Sequence, residues 1–131
     1  SADSLSKVFG RLMSARERKR FYEEPSLVEV AYRSVKATSS VAAADEIASL
    51  LLDIDSDFYS SISVPTLLID GEEAPFSGAF DIGKIAEKFP RGTLVRTCKV
   101  PHAGHYATLL EPEICIYTAL AFFAEARARR I

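Results

Sequence analysis

Hydrophobic residues follow two different periods along this chain, and the change of period divides it near its middle. In the first part they recur every three or four positions, which predicts amphipathic helices over residues 4–24, 26–37 and about 40–51. Asp3 or Ser4 is expected to cap the first of these helices. The first part of the chain is therefore predicted to consist of three helices, with a polar connector over residues 53–63 before the next element.

In the second part the pattern changes to short continuous apolar runs. Residues 64–71 form such a run, with proline near its start and Asp-Gly at its end, which is typical of a strand buried on both faces. Residues 80–89 have helical spacing, and residues 93–100 form a second strand. This order predicts a βαβ unit with parallel strands and a right-handed crossover.

A last helix is predicted to begin at Glu-Pro-Glu, residues 111–113, because proline and acidic residues are favoured in a first turn. Residues 114–124 contain no charged residue, so this helix is expected to be buried around most of its circumference. The predicted fold class is α/β, with a helical segment over residues 1–60 followed by a β-α-β-α unit over residues 61–131.

Composition narrows the classes of partner and compartment. The 131 residues suit one domain, and a net charge of -2 does not favour nucleic acid or acidic membranes. No opening signal peptide or membrane-length apolar run occurs. Cys98 and Cys115 lie in apolar segments, which indicates buried thiols in a reducing compartment. These observations predict a cytoplasmic protein without a membrane or nucleic-acid partner.

Two charged segments have an ordinary explanation. Three aspartates at alternate positions, residues 53–57, lack the glycine and the bidentate glutamate of a calcium loop, so no metal is predicted. Basic residues between 11 and 20 are interrupted by Glu17 and are expected to form a solvated helix face.

The best candidate for chemistry is a histidine that follows the second predicted strand. That strand runs into Pro-His-Ala-Gly-His over residues 101–105. Ala103 and Gly104 allow a sharp turn that presents His105 at the sheet edge. A general base needs an imidazole within hydrogen-bond reach of a nucleophile, and imidazole exchanges a proton readily near neutral pH. His105 is therefore the candidate base, whereas His102 is expected to pack or hydrogen-bond within the turn.

The last 70 residues resemble the carboxyl-terminal third of an α/β-hydrolase. The resemblance is carried by Ile-Ser-Val-Pro-Thr-Leu-Leu-Ile-Asp-Gly-Glu-Glu-Ala-Pro-Phe at 62–76, Pro-His-Ala-Gly-His at 101–105 and Leu-Glu-Pro-Glu at 110–113. It implies that His105 is the catalytic histidine, that an acid stands on the loop after the first strand, and that residues 1–60 take the place of the family's lid. It further implies hydrolysis of a small ester, lactone or amide, with no cofactor or metal.

The sequence departs from this family pattern at two places. No G-x-S-x-G nucleophile elbow occurs, and Ser77 before Gly78 has the wrong neighbours, so a serine-type nucleophile would lie outside this chain. Where the family has G-x-x-D-P, this chain has Gly-Glu-Glu-Ala-Pro at 71–75. Ala74 occupies the acid's position, so Glu73 is the candidate acid, with Glu72 as the neighbouring choice. An acid upstream of Ser1 is a further possibility.

Several interpretations therefore stay open. The chain is either a fragment or subunit of an α/β-hydrolase-like protein, inactive alone, or a related ligand-binding or interaction module without catalysis; a small independent βαβ protein is a third option. The start at Ser1 fits a processed product, a recombinant segment or a fragment. Two parallel strands leave an open edge, so a partner is expected, either a missing amino-terminal half or a second copy.

Overall fold

The computed structural model describes residues 13–37, 41–42, 56–74 and 81–129. Within these ranges the chain is a mixture of helices and strands, consistent with the predicted α/β class. The elements are α1 (Ala15–Glu23), α2 (Pro25–Ala37), α3 (Ser56–Ser60), β1 (Thr66–Gly71), α4 (Ile82–Ala86), β2 (Val95–Val100), α5 (Ala107–Leu110) and α6 (Pro112–Ala128).

The two described strands pair in parallel, as their sequences predict. Thr66 lies opposite Val95, and Gly71 lies opposite Val100, so both strands end at the same edge of the sheet. The loops that follow β1 and β2 therefore start side by side. This placement is what makes the carboxyl edge of the sheet the natural position for a site.

Helices cover both faces of this sheet. Ile69, Cys98 and Val100 pack in one cluster with Cys115 of α6, and Arg96 of the same strand face pairs with Glu125 of α6. Lys99, which points to the opposite face because side chains alternate along a strand, pairs with Asp81 at the start of α4. α6 and α4 consequently lie on opposite sides of the sheet, which gives three layers.

The predicted helix over residues 4–24 is wrong as a single element. Ser14 has extended backbone angles, φ -65° and ψ 165°, and acts as the N-cap of α1. Ser14 and Glu17 form a capping box, in which each side chain accepts a hydrogen bond from the other residue's backbone. The helix starts here because these side chains satisfy its first amide groups. The predicted caps Asp3 and Ser4 lie outside the described residues.

The other boundaries agree more closely with expectation. α2 begins at Pro25, where the sequence breaks the first helix. The helix predicted for residues 40–51 lies outside the described residues except for 41–42, which are helical. Ile82 and Phe89 are buried, as their spacing predicts, and the Phe89 ring contacts Tyr59 at 5.9 Å between centroids.

The prediction that α6 is buried around most of its circumference is wrong for the single chain. Cys115 and Phe122 are its buried residues, and Cys115 packs against Val100 and Cys98 of the sheet. Four large apolar side chains of the same helix stay exposed: Ile116 (55%), Tyr117 (72%), Leu120 (58%) and Phe123 (62%). A continuous apolar run does not specify burial on both sides, since a helix can be covered on only one.

Both cysteines carry free thiols, with Cys115 buried and Cys98 half-buried. Burial raises the pKa of the Cys115 thiol, which suppresses its thiolate form. In the part of the chain that the structure describes, none of the helices combines the length and apolar character that a membrane crossing requires.

The contact between Arg96 and Glu125 predicts a local pH dependence. Arg96 Nη2 lies 2.5 Å from Glu125 Oε1, and this hydrogen bond is the largest cause that holds the pKa of Glu125 below its ordinary value. A lowered pKa stabilises the fold above the unfolded-state pKa, and this contribution is lost as pH falls through the folded-state pKa. Arg96→Gln should raise the Glu125 pKa in a carboxyl NMR titration. Arg129→Gln should raise it less, and an unchanged Glu125 titration in Arg96→Gln would contradict this assignment.

Candidate functional site

The loops that follow the two strands are joined by backbone hydrogen bonds. The Glu72 N–H donates to the Val100 carbonyl at 2.9 Å, and the Glu73 N–H donates to the Ala103 carbonyl at 2.8 Å. These bonds continue the pairing of the strands beyond the sheet. The described part of the acidic loop (residues 72–74) is therefore held against the histidine loop (residues 101–106) and does not extend separately into solvent.

Gly71 is the position where the two loops come closest. A Cβ atom at Gly71 would lie 2.1 Å from the Gly104 carbonyl oxygen and 2.4 Å from that of Ala103. Both neighbours are backbone atoms, so they cannot move aside as a flexible side chain would. Glycine at the end of β1 is thus required for the histidine loop to fold back over the sheet edge.

His102 shapes the histidine loop through its backbone. Its φ of 58° lies in the left-handed region, which is uncommon for a residue other than glycine. Its N–H donates to Glu72 Oε2 at 3.3 Å, and its carbonyl accepts a hydrogen bond from Ser14 Oγ at 2.7 Å. The strained turn is thus held from both sides by residues that lie outside it.

His105 follows this turn and is exposed. Its ring contacts the ring of Tyr106 edge-on, with 5.1 Å between centroids. Tyr106 is also the N-cap residue of α5, so the aromatic neighbour is fixed by a helix start. An exposed imidazole on an anchored loop can reach a group supplied from outside the described residues.

The candidate acid lies on the adjoining loop, but it does not pair with the histidine. Glu73 is exposed, and neither its carboxylate nor the His105 ring makes a hydrogen bond or an ion pair with another residue in the described ranges. The backbone hydrogen bond from Glu73 to Ala103 brings the two loops together. The structure therefore juxtaposes the loops of both candidates without joining their side chains.

Ala74 is buried beside these loops. Its N–H donates to the Gly71 carbonyl at 3.1 Å, which closes a tight turn after β1. A carboxylate at this position would be taken out of water and would need hydrogen-bond donors to offset its desolvation. The small apolar side chain fits the site as it stands.

Ser14 and Glu17 also belong to this region, although hydrophobic periodicity did not predict it. Ser14 Oγ donates to His102 and accepts the Glu17 N–H at 3.1 Å, while Glu17 Oε2 accepts the Ser14 N–H at 2.9 Å. The signal was present as Ser-x-x-Glu over residues 14–17, the pattern of a capping box. It was hidden because the helical periodicity continues across it.

Further contacts hold α1 against the segment after the histidine loop. Arg16 pairs with Glu111 at 3.2 Å, and Arg20 donates to the Leu110 carbonyl. Met13 and Phe21 are buried in a small cluster against which Tyr106 packs. α1 is thus fixed by apolar and polar contacts to residues on both sides of His105.

Glu17 is an unusual member of this contact region. The residue is 1% exposed, and its Oε1 atom has no hydrogen-bond partner among the described residues. Tyr106 nearby in the cluster has a raised pKa because burial disfavours its charged form. The free lone pairs of Glu17 can accept a hydrogen bond from a donor that reaches this cluster.

Within the described ranges, no three or more histidine, cysteine, aspartate or glutamate residues are grouped so as to hold a metal ion. Comparison with known proteins gave no match to a family model, a curated relative or a solved structure. The resemblance to α/β-hydrolases thus depends on the sequence motifs themselves.

Replacement of Gly71 by alanine should destabilise the junction of the loops. The added methyl group would collide with two carbonyl oxygens, so we expect the free energy of unfolding to fall by about 3 kcal/mol. Urea denaturation would measure the change. Gly83→Ala is the matched control, because its Cβ would meet only the flexible Asp81 side chain at 3.0 Å. Equal stability of the two variants would contradict the packing role of Gly71.

Replacement of Ser14 tests whether α1 is anchored to the histidine loop. Ser14→Ala removes both the helix cap and the hydrogen bond to His102, and should lower the free energy of unfolding by about 1–2 kcal/mol. Ser14→Gly weakens an N-cap only slightly but also removes the donor to the His102 carbonyl, so a larger loss of stability in this variant measures the loop contact. Ser34→Ala, at an exposed intrahelical hydrogen bond, should change stability by less than about 0.5 kcal/mol. A loss in Ser14→Gly no larger than the small N-cap cost would show that the loop contact contributes nothing.

Proposed function

We propose that this chain is the lid and carboxyl-terminal part of an α/β-hydrolase-like protein that hydrolyses a small ester, lactone or amide. The observation that carries the proposal is the junction of the two loops at the carboxyl edge of parallel strands. Glu73 and Ala103 are joined there by a backbone hydrogen bond, with His105 exposed on the same loop. This is where an α/β sheet presents its catalytic groups.

In the proposed reaction His105 is the general base. A serine-type hydroxyl from outside this chain attacks the acyl carbon while the imidazole takes its proton, and the imidazole later returns that proton to the leaving group. The close packing at Gly71 and the contact of the ring with Tyr106 support a defined position for the base. Pre-positioning matters because small displacements of a catalytic group lower the rate strongly.

Glu73 is the proposed acid that would orient the imidazole. Its backbone is fixed to the histidine loop, and its exposed side chain is free to turn toward that loop when the nucleophile is present. The substrate is proposed as a small acyl compound, and the reaction class requires neither a cofactor nor a metal. The contacts of α1 with the histidine loop support a lid role for the helical segment.

A second candidate function is a ligand-binding or interaction module that has lost catalysis. It is favoured by the buried Ala74 at the position of the family's usual acid and by the absence of a described carboxylate partner for His105. In this case the anchored loops would shape a binding surface, and the exposed imidazole would contribute a hydrogen bond.

The chain of 131 residues by itself should not turn over a small chromogenic ester such as p-nitrophenyl acetate, because it supplies a base without a nucleophile. The assay compares the chain with His105→Ala at equal concentration. Strong turnover that disappears in His105→Ala would overturn the proposal that the nucleophile lies outside this chain.

A longer gene product that carries these residues should contain a G-x-S-x-G elbow upstream of Ser1. In that protein His105→Ala should lower kcat by roughly a thousandfold or more, as expected for loss of a general base. His102→Asn is the matched control and should retain activity within a few-fold, because asparagine also tolerates the left-handed backbone at this position. Glu73→Gln should lower kcat if this carboxylate orients the ring. An upstream sequence without a G-x-S-x-G elbow, together with ligand binding and no hydrolysis, would favour the second candidate function, a binding module without catalysis.

A further inference from the structure

The outward face of α6 is the largest unexplained feature of the described chain. With 3.6 residues per turn, seven exposed residues fall within a stripe about 120° wide centred on Leu120. The opposite side of the helix carries the buried Cys115 and Phe122. We call this face the outer stripe; it consists of Glu113, Ile116, Tyr117, Leu120, Phe123, Ala124 and Arg127.

The outer stripe is apolar in the middle and charged at its two ends. Its large apolar side chains are more than half exposed, and contiguous patches of this kind mark sites of association. Glu113 stands at the amino-terminal end and Arg127 at the carboxyl-terminal end. Within the described ranges neither forms an ion pair, in contrast to Glu125 and Arg129 on the same helix.

We propose that the outer stripe binds the outer stripe of a second copy of this chain, with the two helices antiparallel. A two-fold axis at Leu120 brings this residue against its own copy. The same axis places Tyr117 beside Ala124 of the second copy, Ile116 beside its Phe123, and Glu113 opposite its Arg127. Every member of the stripe then faces a complementary residue, as a closed symmetric interface requires.

The distribution of charge selects this arrangement. In the antiparallel pair, opposite charges meet at both ends of the stripe. In a parallel pair, Glu113 would face Glu113 and Arg127 would face Arg127, which is unfavourable at both ends. Self-complementarity of seven exposed residues is the reason to assign the face to a second copy and not to an unrelated partner.

The predicted association is moderate in strength. A helix of 17 residues is roughly 25 Å long, and one helix pair buries less area than a standard interface of roughly 1,200–2,000 Å². We expect a dissociation constant on the order of micromolar. The pairing does not depend on the proposed hydrolytic function, because the outer stripe faces away from the sheet and uses no residue of the candidate site.

Sedimentation equilibrium on the complete chain tests the apolar part of the stripe. Leu120→Arg places like charges on the two-fold axis and should weaken dimerisation at least tenfold. Val30→Arg, at an exposed apolar position on α2, is the matched control and should leave the dissociation constant unchanged. Because Leu120 is exposed, the variant should keep the wild-type circular dichroism spectrum. A dimer that tolerates Leu120→Arg overturns the proposal.

Charge reversal tests the antiparallel register. Glu113→Arg alone and Arg127→Glu alone should each weaken dimerisation several-fold, because each creates two like-charge contacts. The double variant should restore it, and an equimolar mixture of the single variants should form a heterodimer near wild-type affinity. Single variants without effect, or a mixture that fails to associate, overturn the register. A wild-type chain that stays monomeric at about 1 mM overturns the second copy as the occupant.

Discussion

The close approach of Gly71 to the histidine loop is the constraint on which the candidate site depends. A side chain at this position would occupy the space of two carbonyl oxygens, so the loops can meet only over a glycine. The hydrogen bonds of Glu72 and Glu73 then follow from the parallel register of the strands. Sheet, glycine and loops form one unit, and His105 is positioned by all three.

The contact of α1 with the histidine loop extends this unit to the helical segment. A capping box normally serves only its own helix, but Ser14 also donates to the carbonyl of His102. The same hydroxyl therefore stabilises the start of α1 and a turn with left-handed backbone. This shared hydrogen bond makes the order of the histidine loop dependent on a residue 88 positions away.

The two sides of α6 show that one apolar helix can serve two purposes. One side carries the buried Cys115 and Phe122, of which Cys115 packs against β2, whereas the other presents Leu120 and its neighbours to solvent. Hydrophobicity by itself does not distinguish a residue packed against a sheet from one available to another molecule. The opposite charges of Glu113 and Arg127 at the two ends of the outer stripe are the reason why we assign it to an antiparallel second copy.

The sequence by itself determined the parallel strands, the last helix and the sharp turn after the second strand, because these depend on local periodicity, proline and small residues. The start of α1 at Ser14 was also encoded locally, although the longer helical period obscured it. Only the tertiary structure decided that α6 is covered on one side, that Ala74 is buried and that the side chains of Glu73 and His105 remain apart. Those properties depend on which distant segments come into contact, and a residue's own neighbours in sequence do not specify that.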